Sequence, residues 1–146
     1  MTDPIFHMIP DAPKPVAPYS HVVERDGWLF VTGQLATDPR DDSLPLPEGI
    51  EAQTEQALNN LAAILGEAGA SLANLVKTTI FYAEVDDLAR LNEVCTLHAG
   101  SSTRAIGAGQ RQTAARPPLL HRGHRAATYL IKPDPVGSAA RVCWHT

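Results

Sequence analysis

Cysteines, long apolar runs and acidic residues late in the chain are all scarce in this sequence. Its 146 residues include 2 cysteines, Cys95 and Cys143, so we expect two reduced thiols rather than a disulfide scaffold or a four-ligand zinc site. No run approaches the roughly 18 apolar residues of a membrane span. The first residues also lack the basic start and apolar core of a secretion signal. We therefore expect a cytoplasmic protein with no membrane partner.

Charge is unevenly distributed along the chain. Residues 1–96 hold 15 acidic and 5 basic residues, whereas residues 97–146 hold 7 basic residues and a single acid, Asp134. Such a basic segment is usually a solvated surface, although it can also bind nucleic acid. Between residues 99 and 142 the only aromatic residue is Tyr129, so stacking surfaces for bases are scarce. A nucleic-acid partner is therefore disfavoured.

The first half of the chain begins with a predicted hairpin. Residues 21–24 and 28–32 are rich in β-branched and aromatic residues, which predicts two strands. Arg25-Asp26-Gly27 predicts a tight turn between them, with the glycine at positive φ. The Pro- and Asp-rich residues 36–50 predict an exposed loop.

Two helices and a third strand follow. Residues 51–68 have apolar residues at helical spacing, with Gly69 suited to a left-handed residue after the helix. Residues 75–82 predict a strand. Asp86 is predicted to cap a second helix, residues 87–98, that stops at Gly100.

This order predicts a sheet with both helices on one face, whose other face is buried by oligomerisation. After Gly100 only residues 127–132 resemble a strand. The length and the 44% hydrophobic content fit a single domain spanning residues 1–146.

Five short motifs within residues 12–98 resemble, in order and spacing, the Rid/YjgF family. The motifs are Pro15-x-x-Pro18-Tyr19-Ser20, Leu29-Phe30-Val31-Thr32-Gly33-Gln34, Gln53-Thr54-x-x-Ala57-Leu58-x-Asn60-Leu61, Val76-Lys77-Thr78-Thr79-Ile80-Phe81 and Leu91-Asn92-Glu93-Val94. The resemblance implies an α+β, chorismate-mutase-like subunit with a mixed sheet and two helices packed on one face. It also implies a homotrimer with clefts between subunits.

The resemblance further implies an activity. The deaminase branch of the family hydrolyses reactive enamines and imines, such as 2-aminoacrylate, that are released by pyridoxal-phosphate enzymes, and it needs no cofactor. Other members lack this activity, and some have been described as ribonucleases. A non-catalytic ligand-binding protein and an RNA-binding or ribonuclease-like protein are therefore the alternatives.

The same resemblance implies that Tyr19 and Thr32 are catalytic and that Gly33 and Gln34 bind substrate. Tyr19 matches the family's site tyrosine, and Thr32 keeps a hydroxyl where serine is common. The competing interpretations are a loop aromatic at a subunit interface for Tyr19 and an ordinary strand residue for Thr32. Gly33 is expected to permit close backbone approach or a positive φ at a bulge.

A 2-imino acid also has a carboxylate, which an arginine can bind with two parallel hydrogen bonds. The family's Pro-Ala-Arg-(Ser/Thr)-x-Val motif, which begins a strand beyond the second helix, is absent here, and no glutamate after Glu93 can replace the family's acid/base residue. Arg116 is the predicted carboxylate ligand, with Arg104 and Arg111 as alternatives. Pro117, directly after Arg116, fits a central strand poorly.

A change of reading frame would explain why residues 99–146 diverge from the family. Back-translating residues 114–125 with GC-rich codons and shifting by one base produces Pro-Ala-Arg-x-x-Ser-Thr-Val-Gly-Ile, which is close to the absent motif. His121 and His124 are too few ligands for a metal site, so no metal is predicted.

Overall fold

The computed structural model describes residues 3–15, 17–82, 84–99, 105–110 and 127–131. Its strands are β1 (Ile5–His7), β2 (Val22–Arg25), β3 (Trp28–Gln34), β4 (Leu75–Tyr82), β5 (Ala105–Gln110) and β6 (Ala127–Ile131), and its helices are α1 (Ile50–Glu67) and α2 (Leu88–Ala99). The strands form one mixed sheet in the order β1-β2-β3-β6-β4-β5. Among the described strands only β4 and β5 pair in parallel, and α2 serves as the crossover between them.

The turn between β2 and β3 confirms the predicted hairpin. Asp26 has a φ of 49° and Gly27 a φ of 72°, so both residues of the two-residue turn are left-handed. This turn geometry matches the right-handed twist of the paired strands. Each strand extends one or two residues beyond its predicted end, to Arg25 in β2 and to Gln34 in β3.

The end of α1 confirms the predicted role of Gly69. That residue has a φ of 73°, its N–H donates to Gly66 at 3.1 Å, and the N–H of Ala70 donates to Leu65 at 2.8 Å. These bonds satisfy carbonyl groups that a helix end otherwise leaves unpaired. At the other end, Glu51 lies in the first turn, where a negative charge is favourable.

Both helices pack on the same face of the sheet. Leu61 of α1 and Leu91 of α2 belong to one buried core together with residues of β2, β3 and β4. In β3 the buried side chains of Leu29 and Val31 alternate with the 47% exposed Phe30. The predicted α+β arrangement, a mixed sheet with two helices on one face, is confirmed.

The opposite face of the sheet, called here the open face, carries exposed aromatic side chains. Phe6, Val23 and Phe30 are cross-strand neighbours on this face, and Phe6 is 64% exposed. On β4, Phe81 is 39% exposed between the buried Ile80 and Tyr82. Grouped apolar surface of this kind is typical of a face that another protein covers.

Several local predictions differ from the structure. β1 and β5 were not predicted, because β1 has three residues and β5 is rich in alanine and glycine; pairing with β2 and β4 gives them their form. Asp86 does not cap α2 but lies in the short 3-10 turn Val85–Asp87 before it. Asp87 instead binds Arg90, in the first turn of α2, at 2.6 Å. The strand predicted at residues 127–132 is β6, and Gly100 lies outside the described residues.

Candidate functional site

Three strands of the sheet run in the same direction and end towards the same edge. β6 is antiparallel to both β3 and β4, and β5 is parallel to β4, so β3, β4 and β5 share one direction. Thr32 and Gly33 lie near the carboxyl end of β3. Through β6, Thr32 and Gly33 lie level with Thr79 of β4 and Gly107 of β5, three residues before each of those strands ends.

A bulge interrupts β3 at the predicted site. Val31 pairs with Tyr129 and Gln34 with Ala127, so Thr32 and Gly33 together face the single residue Thr128. Gly33 does not have a positive φ, and its predicted use for one is wrong. The expectation of a bulge at this glycine is confirmed.

The bulge also decides on which face Gln34 lies. Because Gln34 and Val31 pair with β6 residues two apart, both lie on the helix face, whereas a regular strand would place them on opposite faces. Gln34 is 5% exposed, and its Nε2 donates to the backbone oxygen of Thr32 at 3.1 Å. The Gln34 side chain thus supports the bulge from the helix face of the sheet.

The hydroxyl group of Thr32 already donates its proton to a hydrogen bond within the protein. Its Oγ1 donates to the carbonyl of His21 at 3.2 Å, and its backbone N–H donates to the same oxygen at 3.1 Å. A hydroxyl has one proton and two acceptor lone pairs, so Oγ1 keeps its capacity to accept. An oxygen of this kind can accept a hydrogen bond from an imine or enamine N–H, or from water.

The backbone of Tyr19 lies near Thr32 because the chain connects it to His21. Tyr19 is two residues before His21, whose carbonyl accepts a hydrogen bond from Thr32. The side chain of Tyr19 is 38% exposed, and its backbone N–H donates to Ala17 at 2.8 Å. The structure therefore brings together the loop that carries Tyr19 and the bulge that carries Thr32 and Gly33.

The predicted carboxylate ligands, Arg104, Arg111 and Arg116, all lie outside the described residues. Two of them flank β5 in the sequence, because Arg104 directly precedes Ala105 and Arg111 directly follows Gln110. β5 is the first strand after α2. This is the strand at whose start the Rid/YjgF resemblance expects an arginine.

Two buried polar residues near the site were not identified from the sequence. His21, which belongs to no recognisable motif, is 3% exposed, and its ring binds the N-terminal segment. Asn60, which belongs to the third of the Rid/YjgF-like motifs, is also 3% exposed. Its Nδ2 donates to Leu35 and Thr37, each at 2.9 Å, and so joins α1 to the chain just after β3. The sequence signal for Asn60 was its place in a Rid/YjgF-like motif, whereas His21 belonged to no motif and had no such signal.

The shifted pKa values belong to groups elsewhere in the fold. Burial raises the pKa of the Cys95 thiol to about 11, because the core disfavours the thiolate. The hydrogen bond to Asp87, followed by the charge of Glu51, raises the pKa of the Arg90 guanidinium. Hydrogen bonds from Ser43 lower the pKa of Asp41 in the loop after β3.

The described residues hold no group of three or more His, Cys, Asp or Glu residues placed to bind a metal ion, and His121 and His124 lie beyond them. No helix among them is long and apolar enough to cross a membrane. A cleft of about 250 Å³ opens beside His21, with Met8 and Lys14 among its lining, but it includes neither Tyr19 nor Thr32.

The fold class follows from solved structures. RidA from an Antarctic Psychrobacter has a TM-score of 0.75 at 31% identity, covering 88% of this chain and 98% of its own. The YjgF gene product of E. coli has a TM-score of 0.74 at 24% identity, covering 89% and 99%. The chain thus has the α+β fold of YjgF/L-PSP structures.

The family follows from the sequence. The profile described as Endoribonuclease L-PSP matches residues 9–110, so the chain belongs to this family, and the Rid/YjgF resemblance is confirmed. A RutC family protein of Pyrococcus abyssi is 39% identical over 94 residues, 64% of this chain and 73% of that protein. The 2-iminobutanoate/2-iminopropanoate deaminase of Mus musculus is 37% identical over 99 residues, 68% and 73%. The match continues through β5 and stops just before Arg111.

Proposed function

We propose that this protein hydrolyses 2-imino acids and their enamine tautomers to 2-oxo acids and ammonia. The observation that carries the proposal is the Thr32 hydroxyl, held at the bulge with its oxygen free to accept, in a chain of this family. Relatives named 2-iminobutanoate/2-iminopropanoate deaminase support the choice of substrate class.

The proposed reaction needs positioning more than a strong base. Water adds to the imine carbon, a proton moves to nitrogen, the C–N bond breaks with release of ammonia, and a carbonyl remains. Thr32 accepts a hydrogen bond from the substrate N–H or from the water, and Tyr19 orients the substrate or the water. Holding water and substrate together in this way reduces the entropic cost of the addition. No cofactor is part of the proposal.

We assign the carboxylate to Arg104 before Arg116 or Arg111. Arg104 directly precedes the first strand after α2 and lies within the matched residues 9–110, whereas the other two lie beyond them. An Arg104→Ala variant should raise KM at least tenfold, since a bidentate ion pair would be lost. Arg116→Ala and Arg111→Ala are the matched controls; an unchanged KM in Arg104→Ala together with a raised KM in Arg116→Ala would return the role to Arg116.

We also propose that three copies of this single-domain chain assemble, with the site in the cleft between subunits. The exposed aromatic residues of the open face supply apolar surface for the contact. Light scattering should find a trimer, and Phe30→Glu should give monomers. Leu97→Glu, on α2 and 79% exposed, is the control and should leave the trimer unchanged. A monomeric native protein would refute the assembly.

The test of activity couples the protein to a pyridoxal-phosphate dehydratase that generates 2-aminoacrylate, the proposed source of substrate in the cytoplasm. Added protein should accelerate ammonia release. Thr32→Val should abolish most of this acceleration, whereas Thr32→Ser should keep it. Thr96→Val is the matched control, since the Thr96 hydroxyl binds only Asn92 of its own helix, at 2.8 Å. Native protein without acceleration would refute the function.

A non-catalytic ligand-binding protein is the second candidate, favoured by the lack of any glutamate after Glu93. Binding of 2-oxobutanoate in calorimetry without acceleration of ammonia release would establish it. An RNA-binding or ribonuclease-like protein would instead show RNA affinity that falls steeply between low and moderate salt.

A further inference from the structure

The His21 side chain closes the loop that carries Tyr19. Its Nδ1 accepts a hydrogen bond from the backbone N–H of Ile9 at 2.9 Å. The proton must therefore lie on Nε2, which donates to the carbonyl of Pro13, also at 2.9 Å. Pro13 and His21 are the two ends of a nine-residue segment, and Tyr19 lies inside it.

The backbone of the same residue binds the bulge. The His21 carbonyl accepts both the N–H and the Oγ1–H of Thr32. One buried residue thus contacts three parts of the chain: the N-terminal segment at Ile9, the base of the Tyr19 loop at Pro13, and the strand that carries Thr32.

The two ring contacts have different consequences. Ile9 is 7% exposed and belongs to the core, so its bond to Nδ1 contributes to folding. Pro13 begins the Tyr19 loop, so its bond to Nε2 restricts where Tyr19 lies relative to Thr32. Loss of one hydrogen bond at a loop base increases the range of loop positions, of which few suit the reaction.

We infer that His21 is a positioning residue of the candidate site, which sets the distance between Tyr19 and Thr32 through its Nε2–H bond to Pro13. This inference rests on the proposed deaminase function. It assigns no chemical step to the imidazole, because both ring nitrogens are occupied within the protein.

Two conservative variants separate the ring contacts. In His21→Asn the amide oxygen can replace Nδ1 and accept from Ile9, while the donor to Pro13 is lost. In His21→Gln the amide nitrogen can replace Nε2 and donate to Pro13, while the acceptor for Ile9 is lost. Each variant removes one hydrogen bond, so a merely structural role predicts that activity follows stability in both.

The positioning role predicts the opposite. His21→Asn should lower kcat for imine hydrolysis about tenfold, whereas His21→Gln should keep kcat within about twofold although it is the less stable protein. In a double-mutant cycle, Tyr19→Phe should lower kcat by a much smaller factor in the His21→Asn protein than in the native protein. His98→Gln is the control and should leave kcat unchanged, because the His98 ring donates through Nδ1 to the carbonyl of Val94 in its own helix and lies near Glu55. Equal losses of kcat in the Asn and Gln variants, or additive effects with Tyr19→Phe, would overturn the inference.

A second readout keeps the inference testable if the native protein shows no deaminase activity. Hydrogen exchange of the Tyr19 amide, measured by NMR, should be faster in His21→Asn than in His21→Gln by about tenfold. The reverse order, or no difference, would refute the closure of the loop by His21. Inactive native protein together with the expected exchange pattern would refute the proposed function alone.

Discussion

Replacing Asn60 with aspartate tests how the chain after β3 is held against α1. Asn60 is 3% exposed, and its two N–H groups donate to Leu35 and Thr37 at 2.9 Å each. Aspartate has nearly the same shape, so Asn60→Asp leaves the packing unchanged, removes the two donors and places a buried negative charge against the same two carbonyls. The bond that Gln56 donates to Oδ1 at 2.9 Å can persist.

The expected loss follows from two broken hydrogen bonds. Each contributes about 0.5–1.5 kcal/mol, each carbonyl left without a donor adds a desolvation cost, and the buried carboxylate adds a further cost, so we expect a loss of at least about 2–4 kcal/mol. For a slope of about 2 kcal/mol per molar urea, the midpoint of unfolding should fall by about 1–2 M.

The control is the neighbouring position on the same helix. Asn59 is exposed, so Asn59→Asp adds the same negative charge without removing a buried donor and should change stability by less than about 0.5 kcal/mol. Both variants are compared by urea titration at one protein concentration, followed by circular dichroism. Equal midpoints for the two variants would refute the role of the buried amide.

Three further predictions concern other parts of the chain. Gly27→Ala should lower stability by about 1 kcal/mol, because Gly27 has a φ of 72°. Gly66→Ala should raise stability by about 0.5–1 kcal/mol, because Gly66 lies within α1 and an added Cβ meets no atom within 4 Å. Changes of the same sign in urea titration would contradict this prediction. The pKa of the Cys95 thiol is about 11 when folded and 9.0 ordinarily, so its contribution to stability is complete below about pH 9 and is lost as pH rises through 11. Both proteins carry Cys143→Ser. The one that also carries Cys95→Ala should therefore lose less stability between pH 8 and pH 10.5 than the one that keeps Cys95, and equal losses would exclude the thiol as the cause of the pH dependence. Sequencing of the coding DNA should show that a one-base shift restores Pro-Ala-Arg near residue 114; if no shift does so, the basic segment is the true reading frame.

The parts of the fold with local signals were predicted well. The tight turn with Gly27 at positive φ, α1 with its end at Gly69, and β4 each depend on residues close together in the sequence. Turn conformation, helical spacing and β-propensity act over a few residues, so a short stretch suffices to predict them. The order of these elements predicted the placement of both helices on one face.

The candidate site was predicted only in part. The bulge at Gly33 was expected, but the burial of Gln34 on the helix face was not, because it depends on the register between β3 and β6. The ring contacts of His21 join residues 8 and 12 positions apart, and those of Asn60 join residues 23 and 25 positions apart. None of these contacts could be predicted from a helical or strand period.

The amino-acid order alone therefore settles the turns, the long helix and the family, since these depend on local chemistry. Tertiary structure decides that β6 lies between β3 and β4, that the alanine- and glycine-rich β5 is a strand, and that His21 joins the Tyr19 loop to Thr32. These features depend on pairing between distant segments. The free energy that stabilises them comes from contacts between those segments, so the sequence of one segment does not predict them.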